Sequence, residues 1–279
     1  MPERIESISR AGLTFDVRDQ GPPDGEPIVL LHGFPQDARS WDGVAPLLHA
    51  RGYRTIAPDQ RGYSPGARPR RRRDYRQSEL VADTVALIDR IGRPVHLVGH
   101  DWGAIVAWAT AARHPHLVRS LTAVSVPHPA AFVRALGTSL QLFRSWYMLF
   151  YQLPWLPERL FADEKTARRV LRRSGQPANA AARDAARLAD RAAVRGGLNW
   201  YRALSMWSPR EAVGRVPVPT LMVWSDGDFA IGRAGPAASG RWVTGPFRFE
   251  TLPGVSHWIP DEAPEALAEL VVEHVGGRG

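Results

Sequence analysis

Short apolar runs alternate with helical stretches through the first half of this chain. Leu13 to Val17 alternates apolar and polar positions, as a half-buried strand does. Pro27 to Leu31 is a continuous apolar run ending at His32-Gly33, which predicts a buried strand feeding a loop. Ser40 to Ala50 reads as a helix and Arg54 to Ala57 as a strand. Within Gln77 to Ile91, Leu80, Val81, Thr84, Val85, Leu87 and Ile88 fall at helical spacing. Val95 to Val98 predicts a strand, Trp102 to Arg113 a helix stopped before Pro115, and Leu121 to Val126 another strand. This β-α-β-α order predicts an α/β fold, a mostly parallel twisted sheet with helices on both faces.

From Pro127 the rhythm changes. No strand-like run occurs through about Val213, only helical stretches rich in Arg, Ala, Trp and Leu. Alternation resumes at Thr220-Leu221-Met222-Val223-Trp224, followed by a helix, then by Phe247 to Leu252 and a final helix from Glu262 to His274. The expected organisation is a core of residues 1–127 and 214–279, with residues 128–213 forming an inserted helical cap. Such a cap would lie over the C-terminal edge of the sheet, where open α/β sheets bind ligands. No internal repeat is present, and the Ala/Arg stretch around Ala180 to Ala193 is the only low-complexity tract.

Composition narrows the class without naming a chemistry. With 279 residues, 44 % of them hydrophobic, the chain can bury a large core. It has no cysteine, which excludes disulfides and thiolate metal sites. Met1 to Glu6 carries acids and no apolar core, and nowhere do about 18 apolar residues run together, so neither a secretory leader nor a membrane span is expected. A cytoplasmic protein without a membrane partner follows as the expectation. The net charge is +8, almost all from arginine, since Lys165 is the only lysine. Arg70-Arg71-Arg72-Arg73, flanked by Arg68 and Arg76, and a stripe of Arg183, Arg187, Arg191 and Arg195 on one helix face are both expected to be solvated surface. No nucleic-acid-binding motif accompanies them, so no nucleic-acid partner is expected.

The chemistry concentrates at Gly99-His100-Asp101-Trp102-Gly103. Strand, sharp turn and helix meet there, with a glycine two positions either side of Asp101. Side chains at those glycines would collide with the neighbouring strand and helix. The arrangement is a nucleophile elbow, which lifts its central residue toward a substrate. Here that residue is aspartate where hydrolytic elbows usually carry serine. A second acid, Asp228, lies in Trp224-Ser225-Asp226-Gly227-Asp228, with Asp226 as its rival. His257 follows 29 residues after Asp228, just past the last strand. Nucleophile, acid, histidine is the order of a hydrolase triad. The loop Leu31-His32-Gly33-Phe34-Pro35 can present the Phe34 backbone N–H, which with that of Trp102 would form an oxyanion hole. His32 and His100 are expected to hold these loops in place.

These pieces resemble an epoxide hydrolase of the α/β-hydrolase superfamily. The match runs from about Ile8 to Val275 and includes HGFP (His32 to Pro35), GHDWG (Gly99 to Gly103), Asp228 and His257. Two further segments carry it into the cap, Trp146 to Gln152 and Asn199-Trp200-Tyr201-Arg202. The resemblance implies that Tyr147 and Tyr201 hold the epoxide oxygen, while Phe34, Trp102, Tyr151, Trp200 and Trp258 line the substrate site. The aromatic content of the cap suggests an apolar or aromatic epoxide as substrate; no cofactor or metal is expected, since the chemistry requires none and no metal or nucleotide motif is present, and a monomer or homodimer is expected. The other cap tryptophans, Trp146, Trp155 and Trp207, are expected to pack or line. Two alternatives use the same frame. A haloalkane or haloacid dehalogenase would stabilise halide with the ring N–H groups of Trp102 and Trp200, and a non-catalytic ligand-binding protein would keep the fold alone.

Overall fold

The structure, a computed structural model, describes residues 3–206 and 211–277. Its eight strands are β1 (Ser7–Arg10), β2 (Leu13–Gln20), β3 (Glu26–Leu31), β4 (Tyr53–Pro58), β5 (Val95–His100), β6 (Val118–Val124), β7 (Thr220–Ser225) and β8 (Phe247–Leu252). They form one sheet in the order β1-β2-β4-β3-β5-β6-β7-β8. β2 runs antiparallel to both β1 and β4, and every pairing from β4 across to β8 is parallel. Before β6 the α-helices are α1 (Ala45–His49), α2 (Gln77–Ile91) and α3 (Trp102–Arg113). Among the described residues seven more lie between β6 and β7: α4 (Pro129–Thr138), α5 (Gln141–Arg144), α6 (Trp146–Phe150), α7 (Leu156–Ala162), α8 (Glu164–Arg173), α9 (Ala178–Leu188) and α10 (Arg191–Ala203). The chain finishes with α11 (Ala234–Ala238), α12 (Ile259–Glu262) and α13 (Pro264–Val275).

The continuous apolar runs are explained by burial on both faces, as parallel strands require. Along β3, Val29 and Leu31 enter one apolar cluster while Ile28 and Leu30 enter the other. Three departures from the sequence reading have local causes. β1 leaves little trace in the sequence, because Ile8 is its only buried residue and alternation over four residues carries little signal. The helix expected over Ser40 to Ala50 is a 3-10 turn at Ala38–Trp41 followed by the short α1. Gly43 lies between them, and Pro46 is tolerated because it falls in the first turn of α1. β6 ends before Ser125, whose backbone turns into the left-handed region at φ 67°.

The arginine stripe is also not one solvated face. Asp190 caps α10 by accepting the Ala192 N–H at 2.9 Å, so the stripe divides between α9 and α10. Arg183 reaches Asp261 at 2.9 Å and its neighbour Asp184 at 2.7 Å. Arg187 pairs with Asp37 at 2.9 Å and lies 4.8 Å above the Tyr63 ring. These two arginines tie the helical insertion to the core, while Arg191 and Arg195 stay exposed. In the other basic run Arg70 to Arg73 are exposed, and Arg68 bridges to Asp190 at 2.5 Å. Among the described residues no helix is long and apolar enough to cross a membrane.

Close backbone approach fixes the elbow in the middle of the sheet. β5 pairs with β3 so that Gly99 stands opposite Leu31. A Cβ on Gly99 would overlap the Gly103 carbonyl, and one on Gly103 would overlap the Leu31 carbonyl. Both obstacles are backbone atoms, which cannot swing aside. A Gly103→Ala substitution is therefore expected to destabilise the fold by about 1–3 kcal/mol, read as a lower urea midpoint at unchanged slope. An unaltered midpoint would refute this account of the turn.

Candidate active site

Asp101 sits at the tip of the elbow with φ 53° and ψ −119°, between the end of β5 and the first residue of α3. Its Oδ1 accepts the Phe34 backbone N–H at 2.8 Å. The Trp102 backbone N–H bonds the same carboxylate. Gly33 lets the Phe34 loop come this close, because a Cβ there would overlap the Asp101 side chain. His32 braces the loop from behind: its Nδ1–H donates to the Gly33 carbonyl at 3.0 Å and its Nε2 accepts the Gln60 N–H at 3.1 Å.

Two further residues converge from the ends of β7 and β8. His257 Nδ1–H donates to Asp228 Oδ2 at 2.7 Å, and His257 Nε2 lies 3.5 Å from Asp101 Oδ2. Asp228 is buried and its Oδ1 accepts two backbone N–H groups, Ala230 at 2.8 Å and Ile231 at 2.9 Å. The His257 carbonyl is itself held by the Ser125 hydroxyl at 3.0 Å and by His100 Nε2–H at 2.9 Å. The rival acid Asp226 is exposed and accepts the Gly254 N–H at 2.6 Å, so it stabilises a turn.

The electrostatics follow from this arrangement. Burial alone would discharge His257, but Asp228 and Asp101 outweigh it and push its pKa up to about 10. Burial also opposes the charge on Asp101, yet the bond and charge of His257 hold that carboxyl below its usual range. The resting site therefore contains two carboxylates with an imidazolium between them. The His257 charge contributes stability in full below its ordinary pKa of 6.5, and that contribution is lost as pH rises through about 10. His100 is different. Burial takes it down to about 4, so it is a neutral brace.

A cavity of about 590 Å³ opens above Asp101 and His257. Phe34, Tyr147, Tyr151, Tyr201 and Trp258 line it. The Tyr201 ring centroid lies 6.2 Å from that of Tyr147 and 4.8 Å from that of Tyr151. Burial first, and the nearby Asp101 charge next, raise Tyr147 and Tyr201 well above the ordinary phenol range, so both remain protonated donors. Trp102 faces a smaller apolar lobe of about 210 Å³ that shares Asp101, Tyr147 and Tyr201. Its indole N–H bonds the Tyr201 side chain.

Trp200 departs from expectation. It lies behind the cavity wall, and its Nε1–H donates to the Arg61 carbonyl at 2.8 Å. The ring packs edge-on against Trp102 at 5.7 Å. Its neighbour Tyr201 takes the cavity-facing position instead, because adjacent helical residues point about 100° apart. Trp146 lines the cavity at its rim, Trp155 is exposed, and Trp207 lies outside the described residues.

Two residues of the insertion that the sequence reading passed over also bear on the site. Arg144 donates to the Asp228 carbonyl at 2.6 Å. Gln141 donates to the Ala230 carbonyl at 2.7 Å and accepts the Gly232 N–H at 2.8 Å. They clamp the loop that carries Asp228. Nothing local marks them, since an arginine and a glutamine at the ends of a short helix look like surface until the loop is folded against them.

Residues 28–270 match the family model described as the alpha/beta hydrolase family. The chain belongs to the α/β-hydrolase family. It is 34 % identical over 98 % of both chains to the AB hydrolase superfamily protein YfhM of Bacillus subtilis. It is 30 % identical to Epoxide hydrolase A of Mycobacterium tuberculosis, covering 97 % of this chain and 96 % of that one. Among solved structures it superposes on Epoxide Hydrolase A from Mycobacterium thermoresistibile with a TM-score of 0.84 at 26 % identity, covering 99 % of each chain. The parallel sheet, the elbow after its central strand and the helical insertion of this α/β hydrolase accord with that membership.

Removing one of the two carboxylates should free His257 to lose its proton at lower pH. In Asp101→Asn the His257 imidazole is expected to titrate well below its value near 10, measured by NMR of the ring nitrogens. An unshifted titration would show that Asp101 does not sense the imidazole charge.

Proposed function

We propose that this α/β hydrolase opens epoxides to vicinal diols through an ester formed on Asp101. The observation that carries the reading is the pair of protonated phenols, Tyr147 and Tyr201, lining one cavity with an ionised Asp101. An epoxide needs a nucleophile at carbon and a proton donor at oxygen. An aspartate already ionised at neutral pH needs no base to activate it. Relatives named as epoxide hydrolases over nearly the whole chain support the same conclusion.

In this reading Asp101 Oδ2 attacks a ring carbon, the carbon–oxygen bond opposite breaks, and the departing oxygen takes a proton from Tyr147 or Tyr201. Oδ1, which accepts the Phe34 N–H, becomes the carbonyl oxygen of the ester, and the Trp102 N–H, already bonded to this carboxyl group, would serve as its second donor. Esterification removes the Asp101 charge, so one of the two supports of the imidazolium is lost. Charge balances when the proton shed by His257 makes good the one delivered to the epoxide oxygen. Neutral His257, oriented by Asp228, then takes a proton from water, which attacks the ester carbonyl. Negative charge gathers on Oδ1, facing its two N–H donors, each worth about 3 kcal/mol in comparable sites. On collapse the ester bond breaks and the departing oxygen takes the proton from the His257 imidazolium, which releases the diol; the hydroxyl proton left on the Asp101 carboxyl then passes to His257, restoring the carboxylate and the imidazolium.

The helices within residues 128–213 act as the cap in this reading, since α6 and α10 supply the tyrosines. The apolar lining suits an apolar or aromatic epoxide. The dehalogenase alternative is disfavoured by the indoles it needs. The Trp200 N–H is held by the Arg61 carbonyl, and that of Trp102 is directed at Tyr201.

A single turnover of styrene oxide in oxygen-18 water tests the covalent step. The label is expected in Asp101 and absent from the diol, whereas label in the first-turnover diol would overturn the ester. His257→Ala is expected to accumulate a mass adduct on the Asp101 peptide. A Tyr147→Phe/Tyr201→Phe double variant is expected to lose roughly 10²- to 10⁴-fold in the rate of ester formation. A bromoalkane processed faster than the epoxide would move the assignment to dehalogenation.

A further inference from the structure

The mouth of the cavity is unusually apolar for a surface in water. Leu140, Phe143, Trp146 and Leu149 are each 66–76 % exposed. Leu140, Phe143 and Trp146 also line the cavity, as do the exposed Val170 and Phe229. Leu149 follows Trp146 by three residues on α6 and so shares its face. Large exposed apolar patches mark contact sites, and this one continues directly into the substrate cavity.

The neighbouring helix gives the charge of whatever covers it. On α8, Ala167 and Leu171 are buried and Val170 lines the cavity, while Lys165, Arg168, Arg169, Arg172 and Arg173 are exposed. None of these five forms a salt bridge among the described residues. The only acids on this stretch, Asp163 and Glu164, lie at the helix start. Lys165–Arg169, Arg168–Arg172 and Arg169–Arg173 are like-charge pairs four apart, which weaken a helix in water. An anionic surface would relieve that repulsion.

We infer that the cavity mouth docks on an anionic lipid surface, with Leu140, Phe143, Trp146 and Leu149 entering the interface and α8 resting on the headgroups. An amphipathic surface with aromatic and aliphatic residues beside a cationic face is suited to lie in such an interface. A second copy of the chain fits less well, because a twofold contact at this face would bring two cationic α8 helices toward each other. No helix crosses the membrane in this arrangement. Docking itself is independent of the chemistry proposed above; direct entry of a lipid-dissolved epoxide from the membrane rests on that reading.

Cosedimentation with vesicles of phosphatidylcholine, alone or mixed with phosphatidylglycerol, tests the docking without any epoxide. Binding is expected only to the mixed vesicles and is expected to fade in high salt. Arg169→Glu/Arg173→Glu should weaken it by more than about tenfold, at roughly fivefold per cation removed. Leu149→Glu should weaken it as well while leaving turnover of a water-soluble epoxide and the thermal midpoint unchanged. No binding by the parent protein, or equal binding by all variants, overturns the proposal. So does a dimer in light scattering that Leu149→Glu dissociates, because the patch then belongs to a second copy. Epoxide turnover without vesicles is measured separately, so loss of docking and loss of the catalytic reading are told apart.

Discussion

Keeping one carboxylate charged where little water reaches it is the constraint around which this molecule is arranged. Burial opposes the Asp101 charge, and three contacts answer it: the Phe34 backbone N–H on Oδ1, the Trp102 backbone N–H on the same carboxylate, and an imidazolium near Oδ2. Each comes from a different stretch of chain. The Phe34 N–H requires the loop after β3 to lie against the elbow, the Trp102 N–H requires a helix to start at once, and His257 must arrive from beyond β8. The parallel register that places Leu31 opposite Gly99 brings the first two together.

His257 illustrates how the same contacts that stabilise a resting site also shape its chemistry. Its proton is held by two acids, one of which is the group that would react. Consuming the Asp101 charge therefore changes the basicity of its neighbour without any movement. Asp228 keeps its part throughout, because two backbone N–H groups satisfy its other oxygen and fix its orientation.

The helical insertion is bound into this arrangement from both sides. Gln141 and Arg144 grip the Asp228 loop, while Arg183 and Arg187 reach Asp261 and Asp37 on the core. Polar ties of this kind are directional, so they fix the orientation of the insertion on the core as well as its contact. The outer side of the same insertion leaves its large apolar residues exposed around the cavity mouth.

Much of the fold was legible because its signals are local. Runs buried on both faces mark the parallel strands, and the spacing of Leu80, Val81, Thr84, Leu87 and Ile88 marks α2. Glycines flanking Asp101 mark a turn that admits no Cβ. Order along the chain was enough to nominate Asp101, Asp228 and His257, since each follows a strand end and parallel strands end on one edge. What the chain order could not decide depends on partners far away in sequence. Asp226 and Asp228 are two residues apart, and only the folded loop shows which one reaches the imidazole. Trp200 and Tyr201 are adjacent, and only the seating of α10 shows which one faces the cavity. Arg183 and Arg187 read as solvated until Asp37 and Asp261 are brought to them. Residue type and periodicity specify which groups can be buried or charged; the direction in which a side chain points, and the charge it meets there, arises only when distant segments pack.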